Sequence, residues 1–410
     1  MNWVGPKLKK NIAILVDSFY PEKSSAAIQM FELAKTFVRQ GHQITIFTPS
    51  SSMPGKNAVS IDSLDGMRVV SIRVGKRKGV SLFARAFREV IMPVVMIRNL
   101  SRITSSIPEL DYVVWYSPSI FVSFVAKYLA TKFRCSSYLI VRDIFPKWAV
   151  DIGILRKGLP YYIFRWVEVM QYRFADQIGV QSDGDVAYFK SDFPQLLNKV
   201  EVLHNWRDRP LVKECELKLE DTTLRGRKIF VYAGNLGKAQ NLIAFIEAAG
   251  LLFARSDIGF LFIGGGTEAE KMRDMVDNMR LSNVLILDEI AHELLPSLYE
   301  QCQYGVVSLD TKLTNHNIPG KFLSYIHAKL PIFASINPDN DLEKIIDNSN
   351  LGVVVTSGQA TDIADAIVRL TDMNFDRDQY SANCDKLISE MFSPARASLR
   401  ILRPLFSETE

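Results

Sequence analysis

KIFVYAGNLGKAQNL, residues 228–242, opens as an apolar run and breaks at Gly234. Ile229 to Ala233 contain no charged side chain, the pattern of a strand covered on both faces of a parallel sheet. Gly234, Asn235, Gly237 and Lys238 follow, and beyond them the spacing turns helical. A strand-to-helix turn needs residues that tolerate tight dihedrals, so the glycines have a purely backbone explanation. The lysine does not, because a cation at a helix N-terminus opposes the dipole. A bound phosphate at the free N–H groups would reconcile the two.

The same unit recurs along all 410 residues. In the front half NIAILVD, HQITIFTP, MRVVSIRV, DYVVWYS, SSYLIVRD and DQIGVQS read as strands, with helical segments between most of them. In the back half KIFVYAG, IGFLFIGGG, NVLILD, YGVVSLD, LPIFASI and LGVVV do the same. Short apolar strands alternating with helices predict α/β architecture, with two doubly wound domains of parallel strands. The seam is expected near VEVLHNWRDRP: residues 1–205 form one domain, 206–390 a second, and 391–410 a helical tail returning to the first.

Composition narrows the function. With 48% apolar and 23% charged residues the chain is of the globular, soluble kind. Cys135, Cys215, Cys302 and Cys384 are scattered without metal-ligand or disulfide spacing, which fits a reducing compartment. The N-terminal apolar run is too short for a signal peptide and reads as a first strand. The net charge of +4 conceals an asymmetry: residues 1–205 hold 27 Lys and Arg against 16 Asp and Glu, so the acidic excess lies in the back half. A basic half-molecule implies an anionic partner, whether nucleic acid, phosphorylated substrate or membrane surface.

Doubly wound domains bind ligands at the carboxyl ends of their strands. Four loops there carry candidate chemistry. Ser24 and Ser25 can cap a helix or offer backbone N–H groups to an anion or to a hydroxylated substrate. In FIGGGTEAEKM, Gly264, Gly265 and Gly266 let backbone approach a ligand, and Glu268, in the first turn of the next helix, can meet ribose or complement the dipole. Pro319, Gly320 and Lys321 begin a further helix, so Lys321 sits where Lys238 does in its own loop, and the two can clamp a diphosphate. Asp143, after a front-half strand, either orients an acceptor hydroxyl or forms a turn. No dinucleotide fingerprint or P-loop is present. Asp183-Gly184-Asp185 is read as a helix cap rather than a metal site, and the five histidines show no ligand spacing.

Residues 74–103 mix Lys76, Arg77, Lys78, Arg85, Arg88, Arg98 and Arg102 with Phe83 and Phe87. A bilayer span needs about 20 apolar residues, which this stretch lacks. It reads either as a basic amphipathic helix lying on an anionic membrane or as an ordinary packed helix with a solvated basic face.

These motifs, in this order, resemble glycosyltransferase family 4 over almost the whole chain. LAKTFVRQGHQITIFT matches the family's LAxxLxxxGHxVxVxT, and VLHNWRD its interdomain PNG segment with Asn205 kept and Trp206 for Gly. YAGNLGKAQNL, FIGGGTE and IPGKFLSYIHAKLPIFAS match its donor loops, and VRDIFPKWAVDIGIL resembles a subgroup that transfers amino sugars of the N-acetyl-fucosamine type in bacterial O-antigen and capsule assembly. The resemblance implies the GT-B fold, two facing Rossmann-like domains with a cleft between them. It implies retaining transfer of a sugar from a nucleotide diphosphate sugar, UDP-linked, to a polyprenyl-diphosphate-linked saccharide. It also implies no metal or other cofactor, no nucleic-acid partner, and a cytoplasmic protein held on the inner face of an anionic inner membrane. Gly234, Asn235, Gly265, Gly266, Glu268, Pro319, Gly320 and Ser324 would bind donor, with Lys238, Lys321 and Asp143 catalytic. The family's paired glutamates fall on His316 and Ser324, and its loop arginine on Asn235. A nucleotide-sugar epimerase of the same architecture and a catalytically inactive scaffold are the alternatives.

Overall fold

The computed structural model describes residues 9–22, 24–51, 53, 57–75, 82–117, 119–151, 153–210, 212–313 and 318–407, the side chains of residues 82–87 and 407 aside. Its contacts divide the chain into two units, one of residues 1–204 and 394–410, the other of 205–393.

The first unit runs β1 (Asn11–Leu15), α1 (Ser25–Arg39), β2 (Gln43–Ser50), β3 (Val59–Leu64), β4 (Met67–Arg73) and α2 (Leu82–Ile103). It continues with β5 (Tyr112–Ser117), α3 (Val122–Phe133), β6 (Ser136–Val141), α4 (Lys147–Asp151), α5 (Leu159–Phe174), β7 (Gln177–Val180), α6 (Asp183–Asp192) and β8 (Val200–Val202). The second unit has β9 (Lys228–Ala233), α7 (Ile243–Leu251), β10 (Ile258–Ile263), α8 (Ala269–Met279), β11 (Val284–Leu287), α9 (Leu295–Tyr299) and β12 (Tyr304–Ser308). It closes with α10 (Gly320–His327), β13 (Ile332–Ser335), α11 (Asp341–Asn348), β14 (Gly352–Val355), α12 (Ala360–Asp372) and α13 (Arg377–Leu387). α14 (Pro394–Ser407) then belongs to the first unit.

The described residues of the first unit form a sheet ordered β3-β4-β2-β1-β5-β6-β7-β8, and those of the second one ordered β11-β10-β9-β12-β13-β14. Both are Rossmann-like: the order reverses beside the first strand, between β1 and β5 and between β9 and β12. One strand departs from the all-parallel expectation. β3 pairs antiparallel with β4, and its VSIDSL sequence is too polar for the buried-run pattern because it lies at a sheet edge with half its side chains exposed.

Strand alternation sorts the second unit's core into two layers. Ile229, Val231 and Ala233 pack with α9, α10, α11 and α13, while Phe230 and Tyr232 pack with α7, α8 and α12. In the first unit α2, α3, α5 and α6 share one core with Ala13, Leu15, Val113 and Trp115. α1 packs against β2 and α14. Ser398 Oγ donates to Gln40 Oε1 at 2.6 Å and Arg403 Nη2 to Glu201 Oε2 at 2.8 Å, which ties the C-terminal helix to this unit.

Candidate functional site

Gly234 stands at the end of β9, beside the reversal in strand order, with φ +145°. Its N–H donates to Ile263 O at 2.8 Å, and Leu236 N–H donates to Gly265 O at 2.8 Å, so the loops after β9 and β10 are zipped together. A Cβ at Gly264 (φ +140°) would lie 2.0 Å from Gly234 O, and one at Gly266 (φ +155°) 2.4 Å from Leu236 O. These glycines permit the close backbone approach. Gly265 differs: nothing stands within 4 Å of its Cβ position. With Gly234, Asn235, Glu289, Ile290 and His292 it lines a cavity of about 330 Å³.

Lys321 reaches this place from the first turn of α10. Pro319 is the N-cap and Gly320 the first helical residue. Tyr325, one turn on, donates no freedom to the helix: it seats against Gly305, where a Cβ would approach its ring to 2.4 Å, and its hydroxyl accepts from Ala233 N–H at 3.2 Å. So anchored, α10 sends Lys321 through the space left by Gly234 to the ring of Tyr232, with Nζ 4.6 Å from the centroid. Tyr232 is fixed in turn by donating to Asn235 O at 2.8 Å. The lysine is half-buried overall, yet its ammonium is packed closely enough that desolvation lowers its pKa to about 8. Among the described residues no carboxylate pairs with it.

Lys238 is placed differently from the expectation. It lies in a short 3-10 turn, Lys238–Gln240, that ends at Asn241 in the left-handed region (φ +46°). The helix proper starts later, at Ile243. Lys238 is exposed and so is not the counterpart of Lys321. The turn is braced by Gln240, whose Oε1 accepts from Asn235 Nδ2 at 3.0 Å and Gly237 N–H at 3.2 Å. Glu268 is the N-cap residue of α8 rather than a member of its first turn. Its N–H donates to Leu236 O at 2.9 Å, and Lys271 Nζ stands 3.9 Å from its carboxylate. Ser324 Oγ donates back to Gly320 O at 3.4 Å. It lines a second cavity, about 160 Å³, with Arg207, Tyr299 and His327. His292 and Leu295 line both cavities, which therefore adjoin. His316 lies outside the described residues.

The first unit has its own polar cluster at its strand-order reversal. Arg142 Nη1 donates to Gln29 Oε1 at 2.8 Å and to the Tyr116 hydroxyl at 2.9 Å. Tyr116 also donates to Gln29 at 3.1 Å, and burial pushes its pKa to about 12. Asp143 is half-buried. Burial raises its pKa while neighbouring Arg142 opposes the rise. Ser24 caps α1 by accepting from Ala27 N–H at 3.2 Å, and Ser25 is the first helical residue; both are exposed. Asp185 sits in a reciprocal cap, with its N–H on Ser182 Oγ and its carboxylate accepting from Gln181 N–H. Among the described residues no group of three His, Cys, Asp or Glu is placed to hold a metal.

α2 runs unbroken through Pro93. Arg98 and Arg102 are exposed on it and Arg88 is half-buried. Lys76, Arg77 and Lys78, and the side chains of Phe83, Arg85 and Phe87, lie outside the described residues. No described helix is long and apolar enough to cross a membrane. Tyr232, Tyr325, Arg142, Tyr116 and Gln29 escaped the sequence reading. A buried tyrosine hydroxyl requires a partner, but sequence does not say which.

Comparison with known proteins places these features. Residues 227–373 match the family described as glycosyl transferases group 1. A probable glycosyltransferase, WbjE of Pseudomonas aeruginosa, is 24% identical over 224 residues, 52% of this chain and 54% of the relative. The alpha-D-kanosaminyltransferase of Streptomyces kanamyceticus is 26% identical over 187 residues, 45% of this chain and 47% of the relative. The chain thus spans about half the length of the curated relatives it matches. Among solved structures, Anabaena HepE in complex with UDP and glucose superposes with a TM-score of 0.66 at 14% identity, covering 97% of this chain and 100% of that one. The fold, two Rossmann-like α/β units, matches that of GT-B glycosyltransferase structures, and residues 227–373, which hold β9, the glycine loops and Lys321, are the part that is similar to the glycosyl transferases group 1 family.

Proposed function

We propose that the protein is a glycosyltransferase whose second unit holds a nucleotide diphosphate sugar with the diphosphate against Lys321 and the N–H groups of the loops after β9 and β10. One observation carries this reading: a desolvated ammonium that no carboxylate pairs with among the described residues, set at the strand-order reversal beside Gly234. A buried cation of this kind calls for an anion. HepE was solved with UDP, which supports a UDP-linked donor here. When the glycosidic bond breaks, negative charge grows on the leaving diphosphate, and a donor already in place stabilises it without reorganisation.

The acceptor is assigned to the first unit, with Asp143 orienting a hydroxyl at the end of β6 and the α1 loop at Ser24 and Ser25 beside the acceptor's phosphate. Retention of configuration and a polyprenyl-diphosphate-linked saccharide as acceptor are what the family resemblance implies, the segment 141–155 supports an N-acetylated amino sugar as donor, and work at the inner face of an anionic membrane rests on the basic stretch 74–103. In this reading Lys321, with a smaller contribution from the exposed Lys238, takes the electrostatic role of a metal, so turnover persists in excess EDTA.

The test is release of nucleoside diphosphate from a panel of nucleotide sugars, with and without lipid-linked saccharides extracted from bacterial membranes. Acceptor-dependent release from one donor is expected. Absence of release from every donor, with no UDP bound, would leave the scaffold alternative standing.

A further inference from the structure

The layer of α2, α3 and α5 carries a surface that its helices do not need for folding. On α5 the core-facing side is Val167, Glu168, Gln171 and Tyr172, all buried. The opposite side of a surface helix is ordinarily charged. Here it is Leu159, Tyr162, Ile163 and Trp166, which are 74%, 64%, 47% and 56% exposed. Their spacing, i, i+3, i+4 and i+7, puts them on one stripe. Ile154, just before the helix, is 72% exposed. On α2, Val90, Ile91 and Val94 are exposed as well, and α3 packs between α2 and α5.

Charge distinguishes this face from a surface awaiting an ordinary protein partner. The three helices contain eight Lys and Arg and two acidic residues, Glu89 and Glu168. Glu89 accepts from Ser119 Oγ at 2.9 Å. Glu168 is buried and paired with Arg165 at 2.8 Å. Residues 154–167 contain no acid and present Arg156 and Lys157 to solvent. Exposed apolar and aromatic side chains with the exposed cations Arg156 and Lys157 beside them are complementary to a bilayer interface: rings and aliphatic groups enter the headgroup boundary, and cations meet anionic lipid.

We infer that α5, through Leu159, Tyr162, Ile163 and Trp166, is the main lipid-inserting element of the first unit, with the cations of α2 and α3 supplying attraction to anionic headgroups. The inference deepens the membrane-facing part of the proposed function and shifts its weight from α2 to α5. The face follows β6, so the first turns of α5 lie at the same edge of the sheet as Asp143. A lipid-linked acceptor would enter from that edge.

The experiment uses the full chain and vesicles free of donor and acceptor, so it stands or falls apart from transfer activity. Co-sedimentation is measured with phosphatidylcholine vesicles with and without phosphatidylglycerol, for the wild type and for Leu159→Gln/Tyr162→Gln/Ile163→Gln, whose sites are exposed; circular dichroism and thermal melting check folding. The triple variant is expected to lose about tenfold or more in partitioning to phosphatidylglycerol vesicles, whereas Arg98→Gln/Arg102→Gln loses less and becomes indifferent to salt. Brominated lipid quenches Trp fluorescence of the wild type and fails to do so in Trp166→Phe. Equal partitioning of the triple variant, no quenching assignable to Trp166, or a concentration-dependent dimer that the triple variant abolishes would each overturn the inference. In the last case a second copy of the chain covers the stripe.

Discussion

Lys321 occupies the space that a side chain at Gly234 would need: a Cβ there would stand 2.6 Å from Cε and 3.0 Å from Nζ of the lysine. The two residues are one device. The glycine also holds φ +145°, a conformation that L-residues avoid. Gly234→Ala should therefore cost about 1–3 kcal/mol of stability through strain and displacement of the lysine, and weaken UDP binding with it. Gly265→Ala, which meets no neighbour within 4 Å, should leave stability nearly unchanged. Chemical denaturation of both variants checks the contrast.

The desolvated ammonium makes a pH prediction with a definite sign. The folded-state pKa of Lys321 is lowered from 10.5 to about 8. Between these values the unfolded chain binds the proton more readily, so stability attributable to this group rises as pH climbs from 8 towards 10.5, and the cost is fully present below 8. Comparing wild type with Lys321→Met isolates the group: the stability gap should favour the variant at neutral pH and close at alkaline pH. Bound UDP restores the charged form, so its binding near pH 8 should take up protons, measurable by calorimetry in buffers of different ionisation enthalpy.

The two loop lysines should not be equivalent. Lys321→Ala should lower kcat by roughly a hundredfold, the cost of losing a charged donor in a shielded site. Lys238 is exposed, where solvent screens its charge, so Lys238→Ala should lower kcat only a few-fold. Steady-state kinetics at saturating donor decide this. Equal losses would mean that Lys238 closes on the donor when it binds.

Asp143 should affect the acceptor alone. Asp143→Asn preserves shape but removes a carboxylate that burial already makes costly to ionise. Transfer to acceptor should fall at least tenfold if the group orients the reacting hydroxyl. UDP binding, which the proposed function places in the second unit, should not change. Donor titration and acceptor kinetics on one preparation separate the two effects.

The fold was legible in the sequence because buried parallel strands leave unbroken apolar runs, as in Ile229–Ala233 and Ile258–Ile263. β3 was not, because an edge strand with one wet face resembles a loop in composition. Glycines at 234, 264 and 266 signalled tight backbone, and the structure supplies the reason at each. Lys238 and Lys321 look alike in sequence; they differ because Asn241 in the left-handed region delays α7, whereas Tyr325 under Gly305 seats the start of α10 against the sheet. That distinction depends on tertiary packing. So does the Gln29–Tyr116–Arg142 cluster, whose members are up to 113 positions apart in the chain. The stripe on α5 was present in the sequence at helical spacing, but an apolar stripe ordinarily marks a core, and only its exposure separates the two.

The central claim is that the Gly234–Lys321 device grips a diphosphate. Its most direct measurement is calorimetric titration of the full chain with UDP, UMP and uridine, for wild type and Lys321→Ala. A charge-assisted contact to the terminal phosphate should make UDP bind about tenfold to a hundredfold more tightly than UMP, and Lys321→Ala should erase that difference while leaving uridine unaffected. If Lys321→Ala binds UDP as the wild type does, or if UDP and UMP bind alike to the wild type, the lysine does not hold a diphosphate and the account fails.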